Sequence, residues 1–451
     1  MNKNDPRITN GWAMYDWANS VYPLVITTTI FPIYFTSQAE LTAVSLDMGK
    51  RAVVEFFGVP VLATSLLMYA ISAAFLVVAA LSPLLTALAD FSGRKKRFMQ
   101  CFCYLGALSC AGLFFFTAAN LSLAVLLYIC ATVGFAGSLV FYNSYLPDIA
   151  TEDRVDRLSA RGFSLGYIGS AILLVSCLAL VLGASSLGMD QGVASRLSFL
   201  LTALWWGGFA LIPFTRLPPD RGPSGDVREP GYLFNGYRKL AQIWSELSGH
   251  PVLKRFLLSY FFAAMGVQTV LYVATPFASE ELGMSPHSLI TTVLILQLVG
   301  VAGASFFARL SDAAGNIRAL SAAVAFWSAI CVAGYFVQAG WSFYLLASCI
   351  GFAMGGVQSL SRSTYAKLIP ENTPDSASWF SFFDVTEKLA IVIGTASFGL
   401  ISQITGTMRN SLLALIIFFA LGLGVLLTLR GKVLRLRAVA PQLPPIMSGE
   451  R

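Results

Sequence analysis

Long apolar runs separated by short polar breaks dominate this chain. Phe56 to Ala89 contains no charged residue, and neither does Phe98 to Pro147. A bilayer core takes about 20 apolar residues per helix. The second run therefore has room for two spans, with a break near Asn120. Segments apolar on every face belong in lipid or a large core, not on a wetted surface. Their recurrence predicts twelve spans, centred near residues 24, 72, 107, 132, 173, 205, 265, 298, 328, 351, 391 and 420. Residues 215–253 interrupt the pattern. TRLPPDRGPSGDVREPG is a Pro-, Gly- and charge-rich linker. In the following YLFNGYRKLAQIWSELSGHP, Leu240, Ile243, Trp244 and Leu247 have helical spacing, which predicts an amphipathic helix along the cytoplasmic interface. The expected organisation is an N-terminal six-helix bundle (1–214), a cytoplasmic linker (215–253) and a C-terminal six-helix bundle with a tail (254–451).

Composition fixes the class. Of 451 residues 56% are hydrophobic and 12% charged, against about 25% charged in soluble domains. The fold expected is an all-α polytopic membrane protein. A net charge of +7 would suggest nucleic acid in a soluble chain, but its placement is topological. With the N-terminus inside, only Lys50, Arg51, Arg196 and Arg409 fall on the outer side and Lys388 lies within a span; the other cations are cytoplasmic. That bias puts both termini in the cytoplasm and gives nucleic acid no role. The seven cysteines fall in predicted spans without CxxC or histidines at ligand spacing, so buried packing is expected and no metal or cofactor is implied. No cleavable signal peptide is evident, since the first apolar helix runs through Asp16 and Asn19 without a cleavage site.

The break ALADFSGRKKR, Ala87 to Arg97, joins two spans through Asp90, Gly93 and four cations, Arg94 to Arg97. FARLSDAAGNIRAL, Phe307 to Leu320, repeats the spacing with Asp312, Gly315 and Arg318. The first segment resembles the G-x-L-x-D-x-x-G-R-K loop of the major facilitator superfamily, with Ala87 in place of the first glycine. A second copy about half the chain later is the trace expected of two parallel repeats. GWAMYDWANSVYP, FYNSYLPDIATEDRVDRLSARGFSLGYIGS, GVQTVLY, GGVQSLSRSTYAKLIP and FFDVTEKLA resemble the autophagy-related vacuolar amino-acid effluxer branch. Its bacterial members were long called an unknown major facilitator family. The resemblance implies a secondary transporter and, in the fungal branch, an exporter of neutral amino acids. Where that branch has an Asn-Asp pair before G-V-Q-T, this chain has Ala264 and Met265, so one intramembrane acid is missing.

Ionisable groups within spans are costly and are candidates for function. Asp16, a turn or so into span 1 beside Trp17, Asn19 and Tyr22, can accept a proton, hold a substrate amine or pair with a neighbouring helix. In span 11, Asp384 and Lys388 are four residues apart and can pair on one face, leaving Glu387 to find its own partner. Lys388 can instead bind a substrate carboxylate or exchange partners with Asp16. Tyr142, Asn143, Gln268, Tyr272 and Gln358 lie on spans that line the cavity in this superfamily, yet such polar groups more often bond between helices. Gly162, Gly166 and Gly169, like Gly351 and Gly355, have small-xxx-small spacing for close helix approach. Asp90 can accept hydrogen bonds within its own tight turn or sit at the N-terminus of span 11, a contact the family resemblance places across the two bundles, with Asp312 doing the same in the second half. Gly93 and Arg94 complete the first gating loop. Arg161 and Arg362, at cytoplasmic span ends, can pair with Asp148 or Asp90, with snorkelling to headgroups as the default.

The reading is a secondary transporter of a small solute, driven by a proton or another solute gradient or else facilitated, monomeric, in a bacterial inner membrane. No G-x-x-x-x-G-K-[ST] is present for ATP hydrolysis. A sensor or scaffold on the same fold is the alternative. A membrane enzyme is disfavoured, because His250 and His287 fall on opposite sides and no HExxH or paired-acid metal motif occurs.

Overall fold

The computed structural model describes residues 3–43, 45–46, 52–220, 232–284, 286–338, 340–370, 376–405 and 408–429. The chain begins with α1 (Pro6–Asn19), whose first turn is capped by the Asp5 carboxylate accepting from the Arg7 amide at 2.8 Å, with Pro6 pre-set for the helix. A π-helical stretch, Tyr22–Ile30, follows directly and leads into α2 (Phe31–Leu41). Pro23 lacks an amide to donate, and the hydroxyls of Thr28 and Thr29 both bond the Leu24 carbonyl at 2.8 Å. Both effects divert the ordinary helical ladder. Sequence periodicity gave no hint of this widened turn.

A three-stranded antiparallel sheet comes next: β1 (Ser45–Leu46), β2 (Ala52–Phe56) and β3 (Val59–Leu62). It corrects the all-α expectation locally. The apolar run from Phe56 is shared between strand and helix, and the adjacent β-branched Val53 and Val54 favour the strand. Fourteen α-helices follow β3 among the described residues. These are α3 (Ala63–Ser92), α4 (Lys95–Gly112), α5 (Leu121–Ser144), the short α6 (Leu146–Ile149), α7 (Glu152–Leu182), α8 (Gln191–Phe209) and α9 (Leu211–Arg216). Most of the expected Pro- and Gly-rich linker, 221–231, lies outside the described residues, and after it come α10 (Tyr232–Gly249), α11 (Pro251–Glu280), α12 (Pro286–Ala314), α13 (Asn316–Phe336), α14 (Gly340–Leu368), α15 (Ser376–Thr405) and α16 (Met408–Leu427). The turn expected near Asn120 is present, closed by a reciprocal cap between Thr117 and Asn120.

Ten segments among the described residues are long and apolar enough to cross a membrane. Two further long helical stretches carry charge inside them: α1 through α2, with Asp16, and α15, with Asp384, Glu387 and Lys388. Large apolar side chains such as Leu76, Leu108, Val175, Leu204, Leu298, Leu345 and Ile417 face outward, as lipid-facing surfaces do. Cys101 also faces outward, whereas Cys103, Cys110, Cys177 and Cys331 are buried as expected; Cys130 and Cys349 are half-buried.

Helices α1 to α9 pack mainly on one another, as do α11 to α16. Contact between the two groups runs through α7 with α12 and α14, and through α15 with α3 and α5. The end carrying Pro6, Gly93, Glu152, Gly315 and Leu368 is called the basic end below. Both D-x-x-G loops turn there on a left-handed glycine, Gly93 at φ 62° and Gly315 at φ 87°, a conformation that costs a Cβ-bearing residue dearly. In α10, Ile243 and Leu247 are buried and Trp244 is exposed, its ring 5.8 Å from that of Phe382 on α15. The helix packs on α3, α11 and α15; the side chain of Leu240 lies outside the described residues.

Candidate functional site

Asp16 sits ten residues into α1, nearly three turns rather than one, because the helix starts at Pro6. Its carboxylate is 4% exposed, and Arg362 from α14, on the other half of the molecule, is 3% exposed. Arg362 Nη1 lies 3.1 Å from Asp16 Oδ2, which also accepts from the Tyr142 hydroxyl at 2.8 Å. The rest of the guanidinium fork is occupied from α7: Nε donates to Ser159 Oγ at 2.9 Å and Nη2 to the Ser159 carbonyl at 2.8 Å. Asn143 Oδ1 lies 3.5 Å from Nη1. Around the guanidinium stand the rings of Trp12, Tyr142 and Phe163, with centroids 4.8, 5.5 and 4.1 Å away. This planar, multiply bonded cation is a task for arginine rather than lysine.

Arg362 therefore does not snorkel. It reaches inward, because α14 presents it to the α1–α5–α7 junction, where a carboxylate waits. Gly162 makes room: a Cβ there would strike Asp16 Oδ2, Arg362 Nη2 and the Tyr142 hydroxyl. A Cβ at Gly166 would strike Ser20, and one at Gly169 would crowd Trp17, so the predicted small-residue stripe is a contact surface for α1. Gly351 and Gly355 likewise admit the α12 backbone. Trp17 stacks on Trp205 at 5.3 Å, within its own half, and Tyr22 bonds Thr132 at 2.6 Å. Asn19 is buried with its amide nitrogen unpartnered.

Further from the basic end, α15 carries a second charged group. Lys388 Nζ is 2.9 Å from Asp384 Oδ1 and 3.2 Å from Glu387 Oε2. The predicted i, i+4 pair is present. Glu387 shares the same lysine and also accepts from Gln268 Nε2 of α11 at 2.7 Å. In this conformation Lys388 has its own acids and Asp16 has Arg362, so the two groups are separate. Tyr272 lies within electrostatic reach of Lys388 and Glu387. The Phe75 ring of α3 faces Lys388 across the two halves, 5.7 Å from Nζ. Gln358 accepts from the Tyr167 hydroxyl at 2.7 Å, another contact between halves. Ala264 and Met265 are simply buried.

The basic end is closed by polar contacts. Asp90 accepts from the Ser378 amide and hydroxyl, both at 2.7 Å, and from the Ala377 amide at 3.4 Å. It thus caps α15 across the halves, as its sequence position suggested, satisfying first-turn donors of that helix. Asp312 departs from the expected symmetry, since it pairs with exposed Arg157 at 2.8 Å instead of capping α7. The buried acid on that side is Asp156, which accepts from Ser311 at 2.7 Å, Asn316 at 2.8 Å and Lys367 at 2.7 Å. Arg94 is exposed. Its neighbour Lys95 reaches Asp148 at 3.0 Å and Ser376 at 2.5 Å. Arg161 bonds Asn10 at 2.5 Å, and neither it nor Arg362 takes Asp148 or Asp90. Sequence reasoning passed over Asp156, Ser159, Lys95 and Lys367 because they lie in charged stretches where a solvated role is the default. The signal available for Asp156 was its place inside the family-like segment.

No group of His, Cys, Asp and Glu able to hold a metal occurs among the described residues. The profile of the family described as "Vacuole effluxer Atg22 like" matches residues 4–433. The chain is 32% identical over 428 residues to an uncharacterized MFS-type transporter YxiO of Bacillus subtilis (strain 168), covering 94% of this chain and 95% of that one. It is 27% identical over 298 residues to autophagy-related protein 22 of Yarrowia lipolytica (strain CLIB 122 / E 150), covering 60% and 50%. Its fold is similar to that of FucP, a major facilitator superfamily transporter in the outward conformation. The TM-score is 0.66 at 15% identity, over 94% of this chain and 98% of that one. The chain belongs to the Atg22-like vacuole effluxer family of the major facilitator superfamily. That is a family of transporters, not of enzymes.

Proposed function

We propose that the protein is a secondary transporter that moves a small solute by alternating access between two six-helix halves. Adding α1–α2 and α15 to the ten apolar segments gives twelve spans, divided as 1–214 and 254–451 around the linker 215–253. The excess of cations at the basic end supports a cytoplasmic location for that end and both termini, in a bacterial inner membrane. The protein works as a monomer. A neutral amino acid, exported, is the cargo most in keeping with the family description. Asn19, Gln268, Tyr272 and Tyr142 supply amide and phenol groups suited to a zwitterion.

One observation carries the proposal: the Asp16–Arg362 pair joins the halves at a buried position inside the membrane-spanning region. A buried ion pair is a poor source of net stability but costs much to break on one side only. It is suited to a contact that forms and parts as a unit. With Asp90 on α15 and Asp156 on α12, α13 and α14, it forms a gate in several layers whose closure leaves the opposite face to admit or release solute.

Flux of labelled neutral amino acids into proteoliposomes, with and without a pH gradient, tests this. Saturable flux is expected. Binding without flux would make the protein a sensor, and chemical turnover of the solute would make it an enzyme.

A further inference from the structure

The charged group on α15 is unbalanced. Lys388 faces two carboxylates, Asp384 and Glu387, and these are its ion-pair partners among the described residues. With all three ionised the triad holds one net negative charge inside the membrane-spanning region. Asp16 and Arg362, by contrast, cancel. An uncompensated charge in such a place is expensive, and one added proton removes it.

A second observation marks where the imbalance is felt. Asp384 is 6% exposed, and its Oδ2 has no hydrogen-bond partner. A buried carboxylate oxygen left bare forfeits its solvation. Lys388 Nζ pairs with the other oxygen, Oδ1, at 2.9 Å, and its ammonium is shared with Glu387 at 3.2 Å. Neutralising Glu387 would release that share, leaving Lys388 free to serve both oxygens of Asp384. The bare oxygen is then the mark of a site missing one positive charge.

We propose that Glu387 takes up and releases the coupling proton, in a triad with Asp384 and Lys388 that is neutral only when that proton is bound. The step is the simplest kind: a proton from water joins Glu387 as it becomes a carboxylic acid, and the same proton leaves on return. Glu387 is chosen over Asp384 on access, its side chain being 24% exposed against 8%. Its partner suits both states. The Gln268 amide donates to the carboxylate at 2.7 Å, and turned over it offers a carbonyl to the protonated acid.

Few competing charges surround Glu387 among the described residues; α10, which also packs on α15, carries Arg238 and Glu246, both exposed. From α11, the phenols of Tyr260 and Tyr272 face Glu387. The α3 helix offers the Phe75 ring, while its Asp90 is held nine residues lower on α15, at Ser378. In α5, which also packs on α15, the titratable side chain on this side is the buried phenol of Tyr128. The α16 helix carries only Arg409, which is bound to Glu281 at the far end. Because Phe75 belongs to the opposite half, the charge of the triad is felt where α3 and α15 part.

This assignment rests on the transport reading but is tested without a solute. Infrared difference spectra of the full-length reconstituted protein between acid and neutral pH should show a carboxylic-acid C=O band. The band should be lost in Glu387→Gln, shifted in Glu387→Asp and kept in Asp16→Asn. Spin labels at Arg154→Cys and Ala313→Cys, in a variant lacking the native cysteines, should report a pH-dependent distance that Glu387→Gln abolishes. A band unchanged in folded Glu387→Gln, or an unshifted one in Glu387→Asp should the first variant not fold, overturns the proposal. If no amino acid is carried yet the band follows Glu387, the cargo reading fails and the proton site stands.

Discussion

Removing the arginine of the buried pair should open the basic end. In Arg362→Ala the bonds to Asp16 and to Ser159 Oγ and carbonyl disappear, along with three ring contacts. Asp16 keeps the Tyr142 hydroxyl but is left as a buried charge without a counter-ion. Stranding one member of such a pair costs about 3–5 kcal/mol. The penalty falls on the closed state, since opening lets water reach Asp16. At about 1.4 kcal/mol per tenfold, the closed-to-open ratio should drop by about two to nearly four powers of ten. Electron–electron distance measurements between labels at Arg154 and Ala313 read this directly. Arg154 lies on α7, 64% exposed, and Ala313 is exposed on α12. The expected result is a short distance in the parent and a longer, dominant one in the variant. Asp16→Asn/Arg362→Ala should recover part of the closed population, because no charge is then stranded. A distribution in Arg362→Ala that matches the parent, in protein with an unchanged melting profile, would refute the gate.

Two other outcomes follow from the same geometry. Asp156→Ala leaves Lys367 without its carboxylate at a site only 12% exposed, so it should lower stability by roughly 3 kcal/mol or more. Arg157→Ala, breaking an ion pair whose arginine is 72% exposed, should cost under about 1 kcal/mol; thermal melts in detergent compare the two, and equal effects would contradict the assignment. Gly162→Ala drives a methyl into Asp16 and Arg362 and should abolish flux. Gly207→Ala, which meets Ala107 Cβ at an ordinary 3.5 Å, should leave flux unchanged in the same assay.

The chain by itself determined the membrane class, because about 20 consecutive apolar residues with few charges admit little else. It determined both D-x-x-G turns, because only glycine enters the left-handed region cheaply. The pairing of Asp384 with Lys388 was legible too, being a property of one helix. What crosses between helices was not. Arg362 looked like a cation at a span end until α14 was seen to aim it at Asp16, 346 residues away in sequence. Asp156 looked solvated until α12, α13 and α14 closed over it. The π-helical stretch after Asn19 and the strands before Ala63 were equally hidden, since each depends on which neighbours satisfy the backbone. The imbalance of the α15 triad took both: the sequence placed two acids beside one lysine, and the packing brings no further ion-pair partner to that lysine among the described residues. Composition and local spacing decide what must be buried and where the chain turns. Which buried charges meet is decided by helices brought together from distant parts of the sequence.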